Sequence, residues 1–385
     1  MRHPRLTIFT KTLDGAENLA RVLPQYREAA DELVVAIDSA TTDDSPEIAR
    51  RYADRVFTFP HGCAIGGGDK PRSLFFEHLF PHCSGDWILQ LDHDETLSPH
   101  WNDRTFVDAL LSDRFVTHVY LPRRWALPGE DHYVASRHWY PNFALRLFRN
   151  LPSLLHIHEN LHDTNRMAGE ARHEVNAFII HWLFAWTSRQ ERLARVRQYA
   201  QRSEYSAHEF YLYENQPYTA LPLLEPYPAP DLKPAYPPSS DPRFRAAIQV
   251  LRAPEKLFAG ETEGALIAIH NGSDRVLKPD SAMVRTYGFG ICQRWQSLED
   301  GLAGQSFETE RWPLPRRIHP GETALAWIRL VPPALPGRYR IQLDLIDEGV
   351  AWFSSQVEMP TISVEALGRP ADNIWYPDLC LSAAT

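Results

Sequence analysis

The stretch GDWILQLDHDETLSP, residues 85–99, decides the fold. Residues 87–91 are a short apolar run of the kind that makes a strand buried on both faces. The run passes directly into Asp92-His93-Asp94-Glu95. Carboxylates delivered together to the end of a strand are unfavourable unless a cation takes them. Hard divalent ions want carboxylate oxygens and commonly keep phosphate oxygens among their other ligands. On an extended segment, the Asp-x-Asp spacing turns both aspartates to one side. The same residues also suit a solvated acidic turn, so their surroundings carry the decision.

Working outward, strand and helix patterns alternate. Residues 6–10, 32–37 and 56–59 are apolar runs fit for buried strands. Residues 17–30 place Leu19, Val22, Leu23 and Tyr26 at helical spacing. Residues 45–52 read as a helix capped by Ser45, with Pro46 at its first position, and residues 71–80 as another. This alternation predicts an α/β domain, a parallel sheet with helices on both faces. Ligands of such sheets sit at the carboxyl ends of the strands, where Asp38 and Asp92 both fall. An aspartate at position 38 can accept from a base N–H or a ribose hydroxyl, with a helix N-terminus nearby. In HGCAIGGGDKPR, residues 61–72, glycines permit close backbone approach, and Lys70 and Arg72 can meet a diphosphate. A flexible loop would read the same way.

Four blocks in order, spanning roughly residues 5–185, resemble the family-two glycosyltransferases with the GT-A nucleotide-sugar-binding, Rossmann-like fold. AIDSATTDDSPEIARRYAD resembles the nucleotide loop and following helix of the subgroup typified by bacterial lipopolysaccharide-core glucosyltransferases. GDWILQLDHDETLSP resembles the strand carrying the metal motif. YPNFALRLFRN, HIHENLHD and FIIHW resemble later segments of that subgroup. Two departures concern the donor. Ala40-Thr41 replaces the usual Gly-Ser, and the opening loop reads Leu-Asp-Gly-Ala-Glu-Asn where the subgroup often has Asn-Glu-Glu.

The resemblance implies roles. Thr10 and Lys11 would meet the nucleoside, and Asp38 and Asp43 would read it. Lys70 and Arg72 would approach the diphosphate. Asp92 and Asp94 match the metal motif, Asp94 most directly, and His181 would complete the metal–phosphate site around magnesium or manganese. Glu159 sits where the family places its catalytic carboxylate, with Asp163 in reserve. The expected reaction is an inverting sugar transfer from a nucleotide sugar, first a uridine diphosphate sugar, to a glycan or small glycoside. A base takes the acceptor proton while cations stabilise the leaving diphosphate.

Other readings are weighed beside this one. His158-Glu159-Asn160-Leu161-His162 fits the zinc-protease pattern, which needs a helix. Pro152 precedes it, however, and Leu154, His156 and His158 alternate like a strand. A metal-dependent nucleotidyltransferase shares the carboxylate logic, but the chain has no Walker loop. A non-catalytic sugar-binding or scaffold protein on the same fold would bind donor and transfer nothing. The block Arg123-Arg124-Trp125, with Trp139-Tyr140, suits either an acceptor cleft or core packing.

Nine prolines between positions 217 and 242 exclude a long helix or central strand there. Residues 217–242 therefore read as an extended linker, packed down by Tyr218, Tyr227 and Tyr236, between a catalytic domain over 1–216 and a second domain over 243–385. In the second domain, short runs at 246–251, 264–270, 283–287, 323–330, 337–345 and 351–353 are separated by turns such as Asn271-Gly272 and Pro336-Gly337. They predict an all-β, immunoglobulin-like sandwich, a candidate surface for homo-oligomer formation.

With 40 basic and 49 acidic residues, the 385-residue chain carries a net charge of −9, which disfavours nonspecific nucleic-acid binding. The four cysteines form no Cys-x-x-Cys pair and read as reduced. The start lacks an apolar secretory core, and residues 175–186 are too few to span a bilayer. A cytoplasmic protein is expected.

Overall fold

A computed structural model of the chain describes residues 5–63, 72–136, 139–157, 165–200, 208–215, 218–279, 288–299, 306–308 and 311–368. The chain divides into two compact units, Met1–Pro226 and Tyr227–Thr385. The expected linker is thus shared between them. Its first part supplies a strand to unit one, and its remainder belongs to unit two.

Unit one opens with β1 (Leu6–Thr12), α1 (Ala16–Ala29), β2 (Glu32–Asp38), α2 (Ser45–Tyr52), β3 (Arg55–Phe59), α3 (Arg72–Leu79), β4 (Trp87–Asp92), β5 (Glu95–Leu97) and α4 (Arg104–Ser112). It continues with β6 (Val116–Trp125), β7 (His132–Val134), β8 (Asn142–Arg149), β9 (Leu155–His156), β10 (Arg166–Met167), β11 (Glu170–His173) and β12 (Ile179–His181). Then come α5 (Leu183–Trp186), α6 (Arg189–Ala200), α7 (His208–Tyr211) and β13 (Ala220–Pro222), which pairs with β7. A nine-stranded sheet has the order β3-β2-β1-β4-β8-β6-β12-β5, with β11 also on β6.

Strands β1 to β4 are parallel, as expected from the alternation. The period-two pattern of β2 explains the two layers. Leu33, Val35 and Ile37 join a core with Leu19, Val22, Leu23 and Tyr26 of α1. Val34 and Ala36 point into a second core with Phe75, Phe76 and Leu79 of α3. Each such buried aromatic or aliphatic side chain contributes about 1.5–3 kcal/mol. Strand β8 is antiparallel to both β4 and β6, so β6 and its parallel partner β12 run in the same sense as β4. The carboxyl ends of β1, β2, β4 and β12 therefore share one edge. Sequence reading gave neither β6 nor β8.

After α6 come α7 and a short turn at Tyr213–Asn215. Arg192 explains the fold-back: its guanidinium bonds Glu214 and the carbonyls of Thr187 (2.6 Å) and Tyr211 (3.0 Å). Arg124, Trp125, Trp139 and Tyr140 are all at most 2 % exposed, so packing wins over an acceptor cleft. Arg124 lies 3.7 Å from the Phe178 ring centroid and donates to the Leu223 carbonyl at 2.6 Å.

Unit two contains β14 (Ala246–Arg252), β15 (Lys256–Phe258), β16 (Glu263–Asn271), β17 (Phe289–Ser297), β18 (Ser306–Glu308), β19 (Trp312–Pro313), β20 (Thr323–Leu330), β21 (Gly337–Asp347), β22 (Ala351–Trp352) and β23 (Thr361–Leu367). Strands β14-β16-β20 form one sheet and β15-β23-β21-β17-β18, with β19 and β22, the other. Ile267, Ile269 and Ile328 from the first meet Ile291, Trp295, Ile341 and Leu343 from the second in one core. Strands β17 and β23 were not read from the sequence, and the run at 283–287 lies outside the described residues. Within this unit Tyr227 meets Trp327 edge-on, at 6.1 Å between ring centroids. Tyr236 occupies the space a Cβ at Gly272 would need. Tyr227 and Tyr236 thus hold the proline-rich chain down, as expected, whereas Tyr218 is exposed and meets Tyr213 edge-on. Cys63, Cys83 and Cys292 are buried, and among the described residues no helix is long and apolar enough to cross a membrane.

Candidate functional site

Strand β4 ends at Asp92, residues 93–94 turn, and β5 begins at Glu95. The turn defeats the expected extended geometry, so Asp92 and Asp94 meet different partners. Asp92 Oδ1 accepts from Lys11 Nζ at 2.9 Å, across the β1–β4 register that pairs these residues. Its Oδ2 accepts from Arg146 Nη2 at 2.6 Å. The same guanidinium reaches Glu95 Oε1 at 2.7 Å, and Arg123 lies 4.0 Å from that oxygen. Glu95 Oε2 accepts the Asp92 backbone N–H at 3.0 Å, tying the turn together. Tyr26 supports it from α1, its hydroxyl 2.9 Å from the Asp92 carbonyl and 2.5 Å from that of Glu95.

Charges set the protonation states here. Burial works to raise the Asp92 pKa, but Arg146 and Lys11 hold it well below the usual carboxylate range. Burial works against charge on Arg146, yet Asp92 and Glu95 raise its pKa further. Burial and the neighbouring carboxylates push the Tyr26 phenol well up.

Arg146 reaches this place through a bulge. Val119 pairs with Leu147 but Tyr120 with Leu145, leaving Arg146 as the extra residue of β8. Leu145 and Leu147 consequently enter different cores. A bulge re-aims one side chain, and here that side chain is the guanidinium between Asp92 and Glu95.

Asp94 faces His181, whose Nε2 stands 3.3 Å from Asp94 Oδ1 at the end of β12. The Trp182 N–H donates to the Asp94 carbonyl at 2.8 Å, closing β12 onto the turn. Burial opposes ionisation of Asp94, but His181 lowers its pKa. His181 packs edge-on against Trp125, and its Nδ1 is buried with no hydrogen-bond partner.

Asp38 is 3 % exposed and its Oδ1 accepts from the Ala40 N–H and meets His61 Nδ1, each at 2.9 Å. Asp43 turns away from a ligand role in this arrangement. Its carboxylate accepts from the Ala16 N–H at 2.8 Å and the Ser45 N–H at 2.9 Å, at the first turns of α1 and α2. Asp14 returns the link, accepting from the Thr42 N–H at 2.7 Å. The two loops after β1 and β2 are thereby latched. Thr10 is wholly buried, its hydroxyl without a hydrogen-bond partner among the described residues, and Arg72 opens α3. Lys70, Glu159, Asp163 and the His-Glu-x-x-His motif lie outside the described residues.

The structure thus gathers Lys11, Asp92, Asp94 and His181, with Asp38 on the same sheet edge. Sequence reading missed Arg146, gave Glu95 and Tyr26 no role of their own here, and left Arg123 between an acceptor cleft and core packing. Two arginines in the quoted block FALRLFR were the available signal, but only the bulge distinguishes Arg146 from Arg149. Asp94 and His181 fit a divalent cation as two donors. Asp92 joins them only by leaving Lys11 and Arg146. Among the described residues no group of three or more His, Cys, Asp or Glu is arranged to hold a metal.

A search against family models returns no match. Over 99 residues the chain is 32% identical to an uncharacterized glycosyltransferase of Rickettsia felis, covering 26% of this chain and 32% of that protein. A counterpart from Rickettsia conorii is 30% identical over 99 residues, with the same coverage. The chain therefore spans about a third of the length of the curated relatives it matches. Among solved structures, Staphylococcus aureus TarS in complex with UDP-GlcNAc has a TM-score of 0.24 at 16% identity, over 32% of this chain and 35% of that one. A Listeria innocua β-glucosidase scores 0.23 at 15% identity, over 32% and 16%. Likenesses this slight carry none of the argument, and what the chain shares with named proteins is the 99-residue stretch it has in common with the rickettsial glycosyltransferases.

Proposed function

We propose that the protein is a nucleotide-sugar-dependent hexosyltransferase. In this reading unit one is a GT-A domain and unit two an immunoglobulin-like accessory sandwich. The observation that carries it is the meeting of Asp94 with His181 beside Lys11 and Asp92 at the carboxyl edge of a parallel sheet. The stretch shared with proteins named glycosyltransferase supports it.

The donor is a nucleoside diphosphate sugar, uridine first, and the acceptor a glycan or small glycoside. Asp38 and Lys11 face the nucleoside, and Lys70 and Arg72 face the diphosphate. Asp94 and His181, with Asp92 once released, would hold magnesium or manganese, which supplies charge stabilisation for the departing diphosphate. Glu159 takes the acceptor hydroxyl proton as that oxygen attacks C1 of the sugar and the C1–diphosphate bond breaks, with inversion. Asp163 is the reserve base.

Calorimetric titration of uridine, guanosine, thymidine, adenosine and cytidine diphosphates, with manganese and with chelator, tests this reading. Metal-dependent binding of one nucleotide is expected. Absence of binding under every condition would overturn it. The engagement of Asp92 by Lys11 and Arg146 favours a second reading, a non-catalytic nucleotide-sugar-binding protein, for which donor binds and no sugar is transferred.

A further inference from the structure

Unit two carries a polar groove on the outer face of its larger sheet, away from the shared core. It encloses about 360 Å³ and is lined by Arg294, Gln296, Ser306, Arg340, Gln342 and Thr361. Four adjacent strands, β23, β21, β17 and β18, supply these residues. The register pairs Arg294 with Gln342 and Gln296 with Arg340. The two arginines therefore stand on a diagonal, with Cβ atoms roughly 7–8 Å apart, and an amide beside each.

Three features set this face apart from an ordinary solvated sheet. Neither guanidinium has a carboxylate within salt-bridge reach among the described residues, whereas Arg338, one row along the same strand, pairs with Glu299. Like charges so placed repel, and an anion between them relieves the repulsion. Arg294 is also held in place, with its guanidinium carbon 5.1 Å from the Trp352 ring centroid and a 3.4 Å hydrogen bond to Gln342 Oε1. Finally, the side chains that line the groove besides the arginines are amides and hydroxyls, which suit a ligand rich in hydroxyl groups and exclude an apolar one. The volume matches a small-ligand site. Glu308 stands opposite Arg294 in the ladder, and the buried Asp344, two residues along β21 from Gln342, is near enough for its carboxyl to feel the Arg294 charge.

We infer that this groove is a binding site for an acidic saccharide, its carboxylate or phosphate bridging Arg294 and Arg340 and its hydroxyls meeting Gln296, Gln342, Ser306 and Thr361. The site is independent of the sheet edge of unit one and of the reading given to it.

The test is titration of the full chain with trigalacturonate, glucose 6-phosphate, maltotriose and inorganic phosphate, followed by calorimetry. At least one acidic saccharide is expected to bind ten times or more tightly than maltotriose and inorganic phosphate. Which of the two binds separates a carboxylated from a phosphorylated ligand. Arg340→Glu, on an exposed side chain, and Arg294→Gln should each weaken that binding at least tenfold. Lys233→Glu, an equal charge change elsewhere on the surface, should leave it unchanged. An unchanged urea denaturation curve for each variant serves as the folding control. Equal binding of maltotriose or inorganic phosphate, insensitivity to both arginine variants, or no binding of either acidic saccharide would overturn the inference.

Discussion

Arg146 and Asp92 form a 2.6 Å ion pair at the end of a parallel strand, and the guanidinium also holds Glu95 at 2.7 Å. The arginine's side chain is 9 % exposed and that of Glu95 is fully buried. Removing one partner of such a group leaves a buried charge without compensation, which costs far more than the pair contributes.

Arg146→Met should therefore destabilise unit one by about 3 kcal/mol. Urea denaturation followed by tryptophan fluorescence measures this, with Arg146→Lys expected to recover part of the loss. A change below about 0.5 kcal/mol would mean that Glu95 finds another cation, with Arg123 the nearest.

Asp94→Ala should abolish metal-dependent nucleoside diphosphate binding while the melting temperature stays within a few degrees of the parent. Asp94 contacts His181 and is buried at the carboxyl edge of the sheet rather than in an apolar core. Calorimetry with manganese and with chelator decides it, and full affinity in the variant would remove Asp94 from the metal site.

Glu159→Gln should keep donor binding and lower the transfer rate by roughly 10²–10⁴-fold, the usual contribution of a general base. Product formation with radiolabelled donor is the measurement. Unchanged transfer would shift the base to Asp163.

Asp43→Ala removes one carboxylate from two helix N-termini at once, since it serves Ala16 and Ser45 together. The expected loss is about 1–2 kcal/mol, read from the urea midpoint. Asp43→Asn should cost less, because the amide oxygen still accepts.

Acid should destabilise the fold through a definable set of carboxylates. Burial raises the Glu32 pKa, but hydrogen bonds from Thr7 at 2.6 Å and from the Ser84 N–H and hydroxyl at 2.6 and 2.8 Å lower it overall. Against burial, Asp43 is lowered by the Ser45 hydroxyl and the Ala16 and Ser45 N–H groups, and Asp54 by the Leu33 N–H and then Arg27. A group with a depressed folded pKa binds fewer protons when native. Its contribution is present above the unfolded value, near 4, and is lost as pH falls through the folded one. The urea midpoint should hold from pH 7 to about 5 and fall below about 4. Glu32→Gln should flatten that fall, and an unchanged slope would assign the acid sensitivity to other groups.

The alternation of strands β1 to β4 with helices, and the aspartates at 38 and 92, were legible in the sequence because they rest on local periodicity. Residues 19, 22, 23 and 26 share a helix face wherever the helix goes, and a residue ending a parallel strand lies at the ligand edge of any such sheet. The tyrosine-held proline segment was legible for the same reason.

The partners of the carboxylates were decided only by tertiary structure. Arg146 reaches Asp92 because β8 enters antiparallel between β4 and β6 and bulges at that residue. His181 reaches Asp94 because β12 pairs with both β6 and β5. Arg124 and Trp139 proved to be packing residues because the carbonyls they bond, those of Leu223 and Phe210, are brought to them only by tertiary folding. Strand order and register join residues far apart in the chain, and one residue of slip reverses every side chain. No local pattern encodes that, so the sequence named the carboxylates and the assembled sheet chose the cations that hold them.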